Sequence, residues 1–235
     1  MGSPGTGKSL QIIKVCEYIA PTKMYVIDME DKLEAMLQPT GIPKNMVLQV
    51  AFDWEEVKVA LELVEKAVKP GDWIAFDRID LTWPAVQRWY AQEVYHEALA
   101  DIMIDKVKAS EKKNTMLAQR FDKGGWQRIN EEHETLMLKI LYKSRCNILL
   151  TSGIKATGEG ILDIYGNIGV IPRGQKELGH QPHSVFLLHQ RKTGPKTTVW
   201  YATTAKDLPG REYFDSEELY DFALQYLNIY SEKAK

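Results

Sequence analysis

Apolar and polar positions along the chain switch between two periods. Short, continuously apolar runs at 23–28, 46–50, 73–77 and 146–151 have the length and β-rich composition of strands buried on both faces. Between them lie stretches with the three-and-four spacing of a helix. One runs from Leu10 to Ile19, where Pro21 stops it. A second covers 54–68 through Val57, Ala60, Leu61 and Val64. A third starts at Pro84, a residue suited to a first turn, and continues unbroken through Val86, Tyr90, Val94, Ala98 and Ile102. A fourth covers 126–143 through Ile129, His133, Leu136, Ile140 and Leu141. Strands alternating with helices predict an α/β fold, with a mainly parallel twisted sheet covered by helices on both faces. Toward the carboxyl end, strands at 184–190 and 197–203 flank a turn at 192–196 and predict a hairpin on the sheet edge. Asp215 to Glu218 then read as the capped start of a last helix reaching about Ile229.

The same pattern suggests one domain over 1–235 with two mobile loops. Segment 106–128 is rich in Lys and Arg and has Gly124–Gly125 as a hinge-like break. Segment 153–182 is rich in glycine, with a short strand at 168–171.

Composition narrows the function. With 44% hydrophobic and 26% charged residues the chain is not a disordered one, and 30 basic against 32 acidic residues give a net charge of −2. No whole-molecule field draws it to nucleic acid, so any such binding needs a local patch. Cys16 and Cys146 fit no zinc spacing and are too few for a disulfide scaffold, which points to core roles in a reducing compartment. No apolar run reaches the length of a membrane span, and the first residues are polar where a signal peptide is apolar. A soluble cytoplasmic protein without a membrane partner is expected. His180 and His183 lack neighbouring ligands that would make a metal site.

The strongest chemical signal is Gly2-Ser3-Pro4-Gly5-Thr6-Gly7-Lys8-Ser9, followed by Leu10 and a helix. It matches G-x-x-x-x-G-K-[ST] at every position. Glycines let the backbone curl its N–H groups inward at a helix N-terminus, which makes an anion nest for a polyphosphate. Lys8 would reach the β- and γ-phosphates, and the Ser9 hydroxyl would join the shell of a Mg²⁺ ion. Only Met1 precedes Gly2, whereas such a loop ordinarily follows a central strand. The loop therefore rests on another segment, follows residues ahead of Met1, or is loosely held.

Two acids stand at the ends of apolar runs, and a third lies three residues beyond one of them. Asp77 is placed to hold Mg²⁺, with Asp80 a weaker candidate for the same ion, and Glu30 could orient or deprotonate a water attacking the γ-phosphate. Thr151 and Ser152 could sense that phosphate. Lys206 and Arg211 could act as finger residues on a neighbouring subunit's nucleotide. The basic window 106–128, with Phe121 and Trp126, has the charge and stacking groups used on single-stranded nucleic acid, and Lys155, Arg173 and Lys176 form a similar group; a solvated helix face is the plainer reading.

Taken together, the glycine motif, Val26-Ile27-Asp28-Met29-Glu30, Trp73-Ile74-Ala75-Phe76-Asp77, Asn147-Ile148-Leu149-Leu150-Thr151-Ser152 and Ala205-Lys206-Asp207-Leu208-Pro209-Gly210-Arg211 resemble the RecA-like P-loop ATPases. The likeness is greatest to small phage-type members similar to the Sak-type annealing ATPases, and Trp126-Gln127-Arg128-Ile129-Asn130 extends it. It spans Gly2 to about Arg211. The resemblance implies a Mg-ATP site at the carboxyl ends of the strands, with Glu30 as the water-activating carboxylate and Asp77 as the Mg²⁺-linked acid. It also implies DNA-facing loops after Lys106 and after Ser152, and recombination or annealing on single-stranded DNA by a homo-oligomer in a host cytoplasm. Thr151-Ser152-Gly153 stands where recombinases place an amide sensor, so hydrolysis is expected to be slow. A DNA-binding module without turnover and a subunit of a viral DNA packaging motor are the alternatives.

Overall fold

Each apolar run forms a strand within a residue or two of its expected limits in a computed structural model. That model describes residues 1–19, 22–111, 123–143, 145–158, 165–166, 168–194, 197–208, 214–215, 217–219 and 221–233. In chain order the elements are α1 (Lys8–Ile19), β1 (Met24–Asp28), α2 (Leu33–Leu37), β2 (Met46–Val50), α3 (Trp54–Ala67), β3 (Trp73–Asp77), α4 (Thr82–Tyr95), α5 (Leu99–Glu111), α6 (Lys123–Leu138), β4 (Asn147–Leu150), β5 (Ile154–Ala156), β6 (Val170–Pro172), β7 (Ser184–Lys192), β8 (Thr198–Asp207), β9 (Glu217–Leu219) and α7 (Phe222–Lys233).

Four strands make a parallel sheet in the order β2-β1-β3-β4. Because side chains alternate across a strand, its two faces carry different cores. Ile27, Ile74 and Phe76 meet α3, α4 and α6 on one face. Met24, Val26 and Ala75 meet α1, α2 and Ala223 of α7 on the other. Helices thus flank both faces. The register pairs Ile27 with Phe76 and Asp28 with Asp77, and Phe76 with Leu150, which brings Asp28, Asp77 and Thr151 level at the carboxyl end. Among the described residues, no helix is long and apolar enough to cross a membrane.

Several expectations need correction. The helix from Pro84 is two helices: α4 ends at His96, whose left-handed backbone (φ 55°, ψ 30°) turns the chain while its N–H bonds the Gln92 carbonyl. Gly124 and Gly125 lie inside α6 and make no break. Gly125 is a contact point, since a Cβ there would sit 3.1 Å from the Tyr90 hydroxyl. Of segment 106–128, both described ends are helical, and 112–122 lie outside the described residues. The glycine-rich segment contains the antiparallel pair β5–β6, the latter two residues beyond the expected strand, and a single 3₁₀ turn, Lys176–Gly179. The hairpin pairs as expected but not on the parallel sheet's edge: β7, β8 and β9 form an antiparallel sheet of their own. Glu217 and Glu218 belong to β9, and the last helix is capped by Asp221, which accepts from Leu224 N–H at 3.2 Å while its own N–H bonds Gln225 Oε1 at 3.2 Å.

Candidate phosphate-binding site

The glycine motif does form a loop at the N-terminus of α1. Gly5 (φ 79°) and Gly7 (φ 81°) both take the left-handed conformation that side chains resist, which is why glycine stands at each. The first intrahelical bond runs from Gln11 N–H to Gly7 O, so the N–H groups of Lys8, Ser9 and Leu10 precede it and point out along the helix axis. Leu10's side chain is exposed. Lys8 Nζ donates to the Ser3 carbonyl at 2.7 Å, and Thr6 Oγ1 donates to the same oxygen at 2.9 Å, closing the loop over Pro4. Burial and the nearby Arg78 guanidinium both push the Lys8 ammonium below its ordinary pKa.

The loop rests on both sheets. Gly2 N–H bonds Ser152 O at 3.1 Å just past β4, Leu188 N–H bonds Met1 O at 2.8 Å, and Gly2 lies parallel to Leu188 of β7. A Cβ at Gly2 would overlap the Leu188 carbonyl oxygen, so only glycine fits. From the outer side, Trp200 Nε1–H of β8 donates to Gly5 O at 3.3 Å.

Asp77 is wholly buried beneath this loop. Thr151 Oγ1 donates to its Oδ1 at 2.5 Å and in turn accepts the Arg78 N–H at 2.8 Å. Thr151 is thereby a positioner of Asp77. Burial raises the Asp77 pKa, partly offset by the Ser9 and Thr151 hydroxyls. Its Oδ2 is buried without a hydrogen-bond partner. An orphaned carboxylate oxygen beside a serine hydroxyl is costly unless something electropositive meets it. Among the described residues no three His, Cys, Asp or Glu side chains gather to hold a metal. One carboxylate oxygen beside one hydroxyl is a donor set that could hold Mg²⁺, an ion that takes one or two carboxylates and fills its octahedron with waters and substrate phosphates.

Arg78 is the residue that sequence reasoning missed. It follows Asp77 in a left-handed conformation (φ 70°, ψ 59°). Its Nε and Nη2 make a fork to Asp80 at 2.9 and 2.8 Å, and its Nη1 reaches Glu30 Oε1 at 2.9 Å. Asp80 also accepts Gly153 N–H and is fully engaged, which removes it as an ion ligand. Glu30 bonds Lys32 through its other oxygen at 2.8 Å, so each of its carboxylate oxygens already faces a cation. The turn that carries Glu30 is built by buried Asp28, whose oxygens accept the N–H groups of Glu30, Lys32 and Leu33, each at 2.9 Å. A basic residue between two acids at a strand tip was visible in the sequence, but its backbone conformation was not.

The structure thus brings together the loop 2–10, Glu30, Asp77 and Thr151. Ser152 is turned away, its hydroxyl donating to Gly153 O. Lys206 is at the far end of β8 from Trp200, opposite Val185 of β7, and donates to His180 O at 2.6 Å. Arg211 and Phe121 lie outside the described residues. Trp126 packs against the main core. Lys155 donates to Gly174 O, and Arg128 pairs with Glu132 on its own helix. Neither a protein-family model nor a curated protein matches this chain.

Proposed function

We propose that the chain is a RecA-like ATPase that binds Mg-ATP on the loop 2–10 and hydrolyses it slowly, coupled to single-stranded DNA in recombination or annealing by a homo-oligomer. The observation that carries the nucleotide reading is the pairing of a glycine loop at a helix N-terminus with the buried, unpartnered Oδ2 of Asp77 beside Ser9. A bound Mg²⁺ would supply charge neutralisation at the β- and γ-phosphate oxygens. Ser9 and Asp77 would hold it, and the N–H groups of Gly7 to Leu10 would hold the phosphates. Lys8 would exchange the Ser3 carbonyl for a phosphate oxygen. Glu30, held by Arg78 and Lys32 through its two oxygens, would position the attacking water. The DNA half rests on the resemblance and on the basic side chains after Lys106 and Ser152.

The test is phosphate release with and without single-stranded DNA, alongside nucleotide affinity by calorimetry. Turnover stimulated by single strands and abolished in Lys8→Ala is expected. Salt-sensitive DNA binding with no nucleotide uptake at millimolar Mg-ATP would replace this reading with a binding module, and stimulation by duplex alone would favour a packaging motor.

A further inference from the structure

β2 is an edge of the parallel sheet, and its outer side carries the groups of a strand that is ready to pair again. Among the described residues only β1 joins it, with Met24 N–H bonding Asn45 O at one end of the ladder and Ala51 N–H bonding Asp28 O at the other. Backbone groups alternate sides along a strand, so Val47 and Gln49 face β1 while Met46, Leu48 and Val50 turn their N–H and C=O groups outward. The Met46 N–H is returned to Pro43 O at 2.9 Å. Those of Leu48 and Val50 meet no protein acceptor among the described residues.

Open edges attract other strands, and sequences ordinarily guard them with lysines, prolines or bulges. β2 reads Met-Val-Leu-Gln-Val, with no charge and no proline, and its register with β1 runs unshifted from Met46 to Val50. Pro43 and Lys44 stand just ahead of it and leave the strand itself open. An apolar side chain lies bare at each end: Ile42 is 49% and Phe52 56% exposed.

Charge identifies the partner. Lys23 and Lys44 are exposed at the amino ends of β1 and β2, and Asp53, Glu55 and Glu56 are exposed just past the carboxyl end of β2. A second copy turned about a two-fold axis through Leu48, normal to the sheet, runs antiparallel. The basic end of each copy then meets the acidic end of the other, whereas a parallel neighbour would set like charges together.

We infer that the outer edge of β2 is the contact of a two-fold dimer, in which β2 pairs antiparallel with β2 of a second copy and Leu48 is the central residue. The two Leu48 residues exchange N–H and C=O, and each Val50 N–H reaches the carbonyl of the partner's Met46. Both outward donors are thereby met, and the Met46 N–H keeps its bond to Pro43. Paired residues share a face, so α3 stays on one side and α1 and α2 on the other in both copies, and the two parallel sheets become one with β4 at each outer edge. The same register sets Lys44 opposite the partner's Phe52, a cation beside an aromatic ring, once in each direction. The contact lies at the opposite edge of the sheet from β4 and does not depend on the loop 2–10 binding nucleotide.

The test uses the full chain without nucleotide. Sedimentation velocity from about 1 to 100 μM is expected to show a monomer–dimer equilibrium. Backbone amide exchange read by NMR at Leu48 and Val50 should slow by about tenfold or more across the transition, while Val47 and Gln49, already bonded to β1, stay constant. Lys44→Glu sets an acid at the acidic end of the other copy, and Phe52→Lys sets two bases opposite one another. Both positions are exposed, and each single variant should weaken the dimer by about tenfold, since the change is felt twice across the axis. The double variant sets acid opposite base and should restore it. A monomer throughout the range, a dimer indifferent to both single variants, or a double variant no tighter than the singles overturns the inference. No readout involves ATP, so failure here and failure of the ATPase reading are separate results.

Discussion

At the scale of single residues, the arrangement beneath the loop is governed by where charge can be buried. Asp80 is 2% exposed and tolerates that position because Arg78 forks onto it and Gly153 donates to it. Removing the cation leaves a buried, unpaired carboxylate, and breaking such a pair from one side costs far more than the pair itself contributes. Arg78→Ala is expected to lower unfolding free energy by about 3 kcal/mol in urea titrations. Adding Asp80→Asn removes the stranded charge and keeps an oxygen for Gly153, so the double variant should recover a large part of the loss. If it is no more stable than Arg78→Ala, the buried charge is not the cause. The place of Asp77 as a strand-tip acid was readable, because a carboxylate that closes an apolar run is costly to bury and so marks a place where the chain supplies it with donors or a cation. Arg78 was not, since its positive φ is imposed by the surrounding contacts and leaves no mark in the residue order.

At the scale of elements, sequence periodicity located the four parallel strands to within a residue or two and failed where local geometry overrides it. Tyr90, Val94, Ala98 and Ile102 keep a spacing of four straight through the end of α4, so the pattern cannot reveal that His96 reverses the helix there. The five-residue α2 is too short to announce itself, and its first turn is fixed by Asp28, four or five residues earlier. The hairpin was legible as strands and turn, but which sheet it belongs to leaves no mark in its own residue pattern. The His96 conformation gives an element-scale prediction. A left-handed backbone strains any residue with a Cβ, and His96 is exposed, so His96→Gly should stabilise the chain by about 0.5–1 kcal/mol, less what glycine loses by greater freedom when unfolded. Thermal melts of the two proteins decide it; a lower midpoint for the glycine variant would mean that the His96 side chain makes a contribution outweighing its strain.

At the scale of the whole molecule, stability is tied to pH through a group in the larger core. His133 of α6 is 3% exposed in the larger core, stacked on Trp54 with ring centroids 6.4 Å apart and edge-on to Trp83 at 5.3 Å. Thr82 Oγ1 gives its only hydrogen to Ile79 O at 2.6 Å, so at the 3.0 Å contact with His133 it must accept, which assigns the ring hydrogen to Nε2 of a neutral imidazole. Burial lowers the His133 pKa to about 4. In the unfolded chain the ring takes up its proton near pH 6.5. The contribution of the neutral ring is therefore fully present above pH 6.5 and is lost as the pH falls toward 4, because only the unfolded state gains the proton over that window. A difference of that size corresponds to roughly 3 kcal/mol. Desolvation of the Met1 amino group acts in the same direction from about pH 8 down to 5, and the raised Asp77 carboxyl acts in the opposite one, so the His133 term has to be read by difference. Replacing His133 by Leu leaves Thr82 its bond to Ile79 and removes the titration. Urea unfolding measured every half unit from pH 7 to 4 should then show the parent losing about 3 kcal/mol more than His133→Leu. Parallel curves would mean that the ring gains its proton in the folded state as readily as in the unfolded one, so that burial does not hold it neutral.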